Sequence, residues 1–326
     1  MAVTTAEKVT GNTALRPFTV DVPQKDLDDL RARIAATRWP EKETVDDQSQ
    51  GPQLATMQAL ARHWLDKYDW RKCEARLNAY PHFITEIDGL DIHFIHVRSR
   101  HEDALPLIVT HGWPGSVIEQ LKIIEPLTNP TAHGGSASDA FHLVIPSMPG
   151  YGYSGKPTTK GWGPDRIGRA WVELMRRLGY TRFVAQGGDW GAVVTELMAV
   201  DPPPELVGIH TNMPGVIPPE IDVLFFRNIL GAAPVLDSLP DDLSDEERRT
   251  CEQLDRVWTG GATYALQMAA RPQVITGLAD SPVFLAAYLL DHDAQSLAMI
   301  SRSFAGEPEG LTPDDVLDNV THFWLT

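Results

Sequence analysis

The segment Gln186-Gly187-Gly188-Asp189-Trp190-Gly191 sets a carboxylate among closely spaced glycines. The run before it, Arg182-Phe183-Val184-Ala185, is short and apolar like a buried strand, and residues 192–200 after it read as a helix. A Gly-x-nucleophile-x-Gly turn between strand and helix is a nucleophile elbow. Its small flanking residues permit a sharp turn that exposes the central side chain. Here that side chain is Asp189. A serine at this point attacks an acyl carbon. A carboxylate, ionised at neutral pH without assistance, suits attack on an alkyl carbon and leaves an ester on the protein. The chemistry implied is opening of a strained or activated C–O or C–halogen bond. The competing reading is a Gly-Asp turn of no chemical consequence, because one short motif recurs by chance.

A second motif stands upstream in the order an elbow requires. The apolar strand candidate 105–110 runs into His111-Gly112-Trp113-Pro114-Gly115-Ser116. A His-Gly loop after an early strand supplies one N–H of an oxyanion hole, and the residue after the nucleophile supplies the other. Those donors are the amides of Trp113 and Trp190. His111 reads as a loop-shaping hydrogen-bonding residue rather than a base, and Trp113-Pro114 suits a cis bond in a tight turn. A third strand candidate, 141–146, leads into Ser147-Met148-Pro149-Gly150-Tyr151-Gly152-Tyr153-Ser154-Gly155. Three strands that each end in a loaded loop match the placement of ligands at the carboxyl ends of strands in open α/β sheets.

The elements that position these loops follow from periodicity. Residues 16–80 read as helical and irregular, with Leu27, Leu30 and Ile34 on one face and Leu54, Met57, Leu60, Ala61, Trp64 and Leu65 on another. Residues 83–87 and 92–97 flank Asp88-Gly89, a strong hairpin signal. His93 and His96 lie on opposite faces of a strand and lack a cluster of further ligands, so no metal site is expected. A helix over 166–178 and a strand over 207–211 complete an alternation that indicates a mainly parallel sheet. From Pro214 the pattern turns helical. Ser244-Asp245-Glu246-Glu247 is a capping box, and its helix breaks at Gly260-Gly261 just before Tyr264, which by itself reads as a core or capping aromatic.

Composition sets the class. With 326 residues, a net charge of −16 and two distant cysteines, Cys73 and Cys251, the expectation is a cytoplasmic enzyme with free thiols. The acidic balance argues against nucleic acid or an anionic membrane as partner. Neither a signal peptide nor a membrane-spanning run is read from the sequence.

The His-Gly-Trp-Pro-Gly-Ser loop, the Pro-Gly-Tyr-Gly-x-Ser turn and the Gly-Gly-Asp-Trp-Gly elbow, behind an N-terminal meander, resemble the microsomal-type epoxide hydrolases of the α/β-hydrolase fold. The resemblance covers residues 16–326. It implies an α/β fold with a mainly parallel sheet, an N-terminal helical meander (1–80), a hydrolase core (81–213), an inserted helical lid (214–305) and the start of a return to the core (306–326). It implies that Asp189 opens an epoxide to form an alkyl-enzyme ester, that the product is a vicinal diol, and that Tyr264 protonates the departing oxygen as a lid tyrosine. No cofactor or metal is implied. The expected partners are a small apolar epoxide and water, with a homodimer left open, and a detoxifying role in the cytoplasm fits.

The family pattern also needs an acid and a histidine base, and none of Asp291, His292, Asp293 or His322 stands at those positions. His292 and His322 read as helix or cap residues. The expectation is therefore a C-terminally truncated chain, with the last sheet strands missing, that is inert or stops after one turnover. Two rivals remain: a haloalkane dehalogenase-like hydrolase sharing the Asp-Trp elbow, and a non-catalytic binding remnant of the scaffold.

Overall fold

Asp88 and Gly89 both take positive φ, 53° and 78°, the backbone of a two-residue hairpin turn whose twist matches its strands. The structure, a computed structural model, describes residues 13–213, 239–261, 263–292 and 294–326. Across the turn β2 (His82–Ile87) pairs antiparallel with β3 (Leu90–Val97). With β1 (Arg16–Phe18) at one edge, the described sheet continues with β4 (Leu105–Thr110), β5 (Phe141–Pro146), β6 (Phe183–Gly187) and β7 (Leu206–Thr211), in the order β1-β2-β3-β5-β4-β6-β7. Strands β5, β4, β6 and β7 are mutually parallel, while β1, β2 and β3 join antiparallel. The three loaded loops all leave the parallel half, which is why they converge.

Strand β1 lies within residues 16–80, which read as helical and irregular. It is three residues long, contains Pro17 and pairs only with β2 at the sheet edge. Proline is tolerated at such an edge, and three residues are too few to display a two-residue period.

The chain divides into two compact units. One comprises Met1–Asp21, Trp70–Gly215 and Thr326; the other comprises Val22–Asp69 and Val216–Leu325. This grouping cuts across the 1–80, 81–213, 214–305 and 306–326 segments, and residues 214–238, the opening of the expected lid, lie outside the described residues.

In the first unit the sheet packs on α3 (Trp70–Asn78), α4 (Leu121–Thr128), α5 (Pro164–Arg177) and α6 (Trp190–Val200). Helix α5 buries Ile167, Ala170, Trp171, Leu174 and Met175 against Phe94, Ile108, Val144, Phe183 and Ala185 of the sheet. Burying an aliphatic or aromatic side chain of this kind contributes roughly 1.5–3 kcal/mol. Trp171 also donates through Nε1 to Thr110 Oγ1 at 3.0 Å, fixing the end of β4 where the His-Gly loop begins.

The second unit is helical among the described residues. Helices α1 (Gln24–Ala35) and α2 (Leu54–Asp66) group with α7 (Asp245–Gly261), α8 (Thr263–Ala270), α9 (Pro282–Leu290), α10 (Ala294–Ala305) and α11 (Pro313–Leu325). The stripes expected on α1 and α2 are buried at Leu27, Leu30, Ile34, Met57, Leu60, Ala61 and Trp64. The Tyr68 hydroxyl donates to Asp318 Oδ1 at 2.9 Å, and His63 Nε2 lies 2.8 Å from Asp314 Oδ1. Both contacts tie the first helices to α11. No helix among the described residues is long and apolar enough to cross a membrane.

Candidate active site

Asp189 sits between β6 and α6 with φ 53° and ψ −128°. A non-glycine residue in that left-handed region costs about 1–3 kcal/mol and persists only where its surroundings dictate it. Two glycines make the surroundings possible. A Cβ on Gly187 would run into the Gly191 carbonyl, and one on Gly191 would run into the Thr110 carbonyl. The backbone of the elbow therefore lies directly on itself and on the end of β4. The Asp189 carbonyl accepts from Ala192 N–H at 2.9 Å, so the residue caps α6 while its side chain stays outside the helix. Helix α6 begins at Trp190, two residues earlier than the 192–200 reading, and its first amides carry the positive end of the helix dipole beside the carboxylate.

The His-Gly loop meets the elbow from the end of β4. Trp113 N–H donates to Asp189 Oδ1 at 2.7 Å. The Trp113-Pro114 peptide is cis. Gly112 is dictated by contact, since a Cβ there would strike the Asp189 side chain. His111 is buried beneath the loop, and its role follows from its two nitrogens. Met148 N–H donates to Nε2 at 3.1 Å, so Nε2 carries a lone pair, and Nδ1–H then donates to the Gly112 carbonyl at 2.9 Å. Burial holds its pKa down to about 4. A neutral ring with both nitrogens engaged shapes the loop and is no base, as its sequence context suggested.

A cavity of about 1060 Å³ opens at Asp189. Leu105, Leu107, Val109, Ile123, Leu127 and Ile209 give it apolar walls, and Glu119, Asp189 and His210 are the titratable groups that line it. Such a lining suits an apolar ligand with a few convergent polar groups.

Two residues near the nucleophile were not singled out in the sequence. Tyr151, quoted there only as part of a turn, has its phenol pKa raised by burial and further by the charge of Asp189. Glu119 lies in the 3-10 turn Val117–Gln120, where Gln120 Nε2 donates to its Oε1 at 3.1 Å. Its pKa is raised to about 7, first by burial and also by Asp189. Its side chain is exposed and lines the cavity, so the shift is an upward direction more than a fixed value. The signal available in sequence was a carboxylate one short turn beyond Gly115-Ser116, and without the loop's backward fold that signal is mute.

Tyr264 belongs to the second unit, on α8. Its hydroxyl lies 3.1 Å from His292 Nε2, with ring centroids 4.9 Å apart, and Tyr288 Oη donates to its backbone carbonyl at 3.1 Å. His292 thus engages the phenol rather than standing alone as a cap residue. His322 is buried on α11. His93 belongs to a buried chain: His82 Nε2–H donates to the Leu77 carbonyl at 2.7 Å, His93 Nε2–H then donates to His82 Nδ1 at 2.8 Å, and Ser147 Oγ lies 2.9 Å from His93 Nδ1, whereas His96 Nε2 pairs with the Tyr180 hydroxyl at 2.8 Å. The two histidines therefore serve different packing clusters.

Residues 15–120 match the family "Epoxide hydrolase N terminus", and residues 106–231 match "alpha/beta hydrolase fold". The "Putative epoxide hydrolase" of Stigmatella aurantiaca is 49% identical over 96% of this chain and 66% of its own length. "Epoxide hydrolase 1" of Oryctolagus cuniculus is 34% identical over 96% of this chain and 70% of its own. The chain belongs to the epoxide hydrolase family of the α/β-hydrolase fold. The solved epoxide hydrolase of Aspergillus niger superposes with a TM-score of 0.76 at 30% identity, over 97% of this chain and 76% of that one. This epoxide hydrolase homologue thus spans about two thirds of the length of the Stigmatella relative. Within that span, the Asp189 elbow and the Trp113 amide come together in one unit.

Proposed function

We propose that this chain opens an apolar epoxide through Asp189, forming an aspartyl alkyl ester on the way to a vicinal diol. The observation that carries the reading is the 2.7 Å bond from Trp113 N–H to Asp189 Oδ1 at a residue held in left-handed backbone. That bond engages one carboxylate oxygen and leaves Oδ2 as the attacking atom. An Oδ2 lone pair forms a bond to an epoxide carbon, the ring C–O bond breaks, and its electron pair passes to the ring oxygen. The Tyr264 phenol is assigned to protonate that oxygen. Ring strain drives the step, and the ester it leaves is neutral.

The second step adds water to the ester carbonyl carbon. Negative charge then develops on Oδ1, facing the Trp113 amide, with the Trp190 amide assigned as the second donor. The alcohol leaves as the diol. Water must lose a proton to a base in this step, and His111 is unable to take it because both of its nitrogens are engaged. We assign no base to His292, whose Nε2 is engaged with the Tyr264 hydroxyl. The 326 residues by themselves are therefore proposed to accumulate the ester.

Diol counting tests this. Incubation with excess of a terminal aryl epoxide should give at most one equivalent of diol per chain. Turnover continuing well past one equivalent would overturn the proposed arrest and place a base within these residues. Diol production that survived Asp189→Ala would remove the nucleophile assignment as well.

A further inference from the structure

The phenol assigned to protonate the ring oxygen is itself held by groups that have no part in the two steps above. Tyr264 stands in the first turn of α8, and two residues from the end of α9 reach it inside the second unit. Tyr288 Oη donates to the Tyr264 backbone carbonyl at 3.1 Å, which fixes where the residue sits. His292 brings Nε2 to 3.1 Å from the Tyr264 hydroxyl, with the two rings 4.9 Å apart and inclined at 44°. The end of α9 sets the imidazole there. Asp291 caps that helix, its N–H donating to the Ala287 carbonyl at 3.1 Å, and His292 N–H donates to the Leu290 carbonyl at 2.9 Å. A backbone contact, a ring contact and a hydroxyl contact thus converge on one phenol from a single helix end.

A phenol has one proton to give and lone pairs that accept. With its O–H aimed at Nε2, Tyr264 would show an epoxide oxygen nothing but lone pairs, and no acid would stand there. With Nε2–H donating to Oη, the O–H points at the substrate instead. We propose that His292 is a positioning residue for Tyr264: its Nε2–H donates to the phenol oxygen, turns the phenol proton toward the epoxide and stabilises the phenolate formed as that proton leaves. The inference rests on the epoxide-opening reading above. In the step, Asp189 Oδ2 makes the new C–O bond, the ring C–O pair passes to the ring oxygen, and the Tyr264 O–H bond breaks to protonate it. The negative charge ends on Oη, facing Nε2–H, and water later returns the proton. A hydrogen bond to an ionised oxygen is about twice as strong as the neutral bond it replaces. The contact therefore tightens as the proton leaves, which is the condition for accelerating the step rather than only binding substrate. The other titratable groups at this helix end are Asp291 and Tyr288. Partial burial raises the Asp291 pKa and the imidazole charge acts against that rise, while the Tyr288 phenol, its pKa also raised by burial, is directed at the Tyr264 carbonyl.

Two spectroscopic readouts need no substrate. Nitrogen NMR of the histidine-labelled parent chain, with the His292 resonances assigned through His292→Gln, should show the proton on Nε2; a bare Nε2 overturns the proposal. Carbon NMR of tyrosine-labelled protein, with Tyr264 assigned through Tyr264→Phe, follows the phenol titration. Its midpoint should be higher in His292→Leu, which offers no donor, and return toward the parent value in His292→Gln, whose amide N–H replaces Nε2–H. A midpoint that falls or stays put in His292→Leu would also overturn it. Kinetics then separate positioning from packing. Epoxide adduct formation on Asp189, followed by intact mass, should slow about tenfold in His292→Leu, the worth of one hydrogen bond strengthened in the transition state, and His292→Gln should recover most of that loss. In a Tyr264→Phe background His292→Leu should cost nothing further, because both residues act through one proton. The loss should also shrink for epoxides that leave a less basic alkoxide and so need less acid help. Equal losses in both backgrounds would mark a structural role and overturn the proposal. Failure of every epoxide to label Asp189, with both NMR results as expected, would remove the epoxide reading and leave the pairing of imidazole and phenol standing.

Discussion

At the residue scale, labour is divided between a carboxylate, an amide and a phenol. Asp189→Ala deletes the attacking oxygens without touching the loop amide that faces them, so covalent labelling by an epoxide should disappear while thermal stability stays within a few degrees or improves. Relief of the left-handed strain is not expected, since alanine occupies that backbone no more readily than aspartate. The substitution Tyr264→Phe keeps the ring and deletes the proton donor. General acids of this type contribute about 10²–10⁴-fold, and the loss should fall on adduct formation measured by rapid quench. A variant slowed only in ester hydrolysis would take Tyr264 out of the acid role. The elbow at Asp189 and the loop amide of Trp113 that faces it were legible in sequence because each lies inside a short motif whose spacing has a mechanical cause. Glu119 and Tyr151 were not, because their importance comes from a loop folding back on itself, which no spacing encodes.

At the element scale, the elbow is held by close backbone approach. Gly191→Ala places a methyl group on the Thr110 carbonyl, and the end of β4 must shift to admit it. Overpacking of this kind costs about 1–3 kcal/mol, so a lower urea midpoint and loss of labelling should come together. Full labelling in a stable Gly191→Ala protein would show that the elbow has room to relax. Strand β7 is the outermost strand of the described sheet and exposes Val207 and Ile209, with Leu197 and Val200 of α6 nearby in sequence order. An apolar edge of this sort templates pairing with another chain. Ile209→Lys should therefore reduce concentration-dependent association in light scattering, and equal association in parent and variant would locate the contact elsewhere.

The other elements show what periodicity reveals. Strands β4 and β5 end where their apolar runs end, and Ser244 with Glu247 closes the expected capping box, with Ser244 N–H donating to Glu247 Oε2 at 2.8 Å. Strand β1 escaped notice because pairing with β2, rather than its own pattern, makes it a strand.

At the scale of the whole molecule, residues 22–69 group with residues 216–325 in one compact unit. The amphipathic stripes announced that α1 and α2 bury a face. They carried no information about which distant helices would cover it, because any apolar face of matching size satisfies the same pattern. Buried histidines give the molecule an acid-side weakness. Burial lowers the pKa of His82, and brings His96 and His111 down to about 4. Each is held neutral in the folded state and binds a proton near pH 6.5 when unfolded. The unfolded chain thus takes up more protons as pH falls, so their contribution is complete above about pH 6.5 and is lost progressively toward pH 4. Glu119 works the other way, since its raised pKa makes the folded state bind its proton first. Burial lowers the pKa of His142 as well and raises that of Asp291. The four histidines outweigh the two carboxyls, and the urea midpoint should fall between pH 6.5 and pH 4.5, more steeply in Glu119→Gln. A midpoint flat across that window would mean that these histidines are hydrated in the folded state.

The central claim is that Asp189 is the atom source for the new bond to an epoxide carbon. Peptide mapping by tandem mass spectrometry after brief exposure to a terminal aryl epoxide addresses it directly. The expected result is a mass increase of one epoxide on the peptide containing Gly188-Asp189-Trp190, with the modified residue resolved as Asp189 and no such species in Asp189→Ala. Labelling confined to the cysteines or histidines, with Asp189 unmodified while diol is formed, would contradict it.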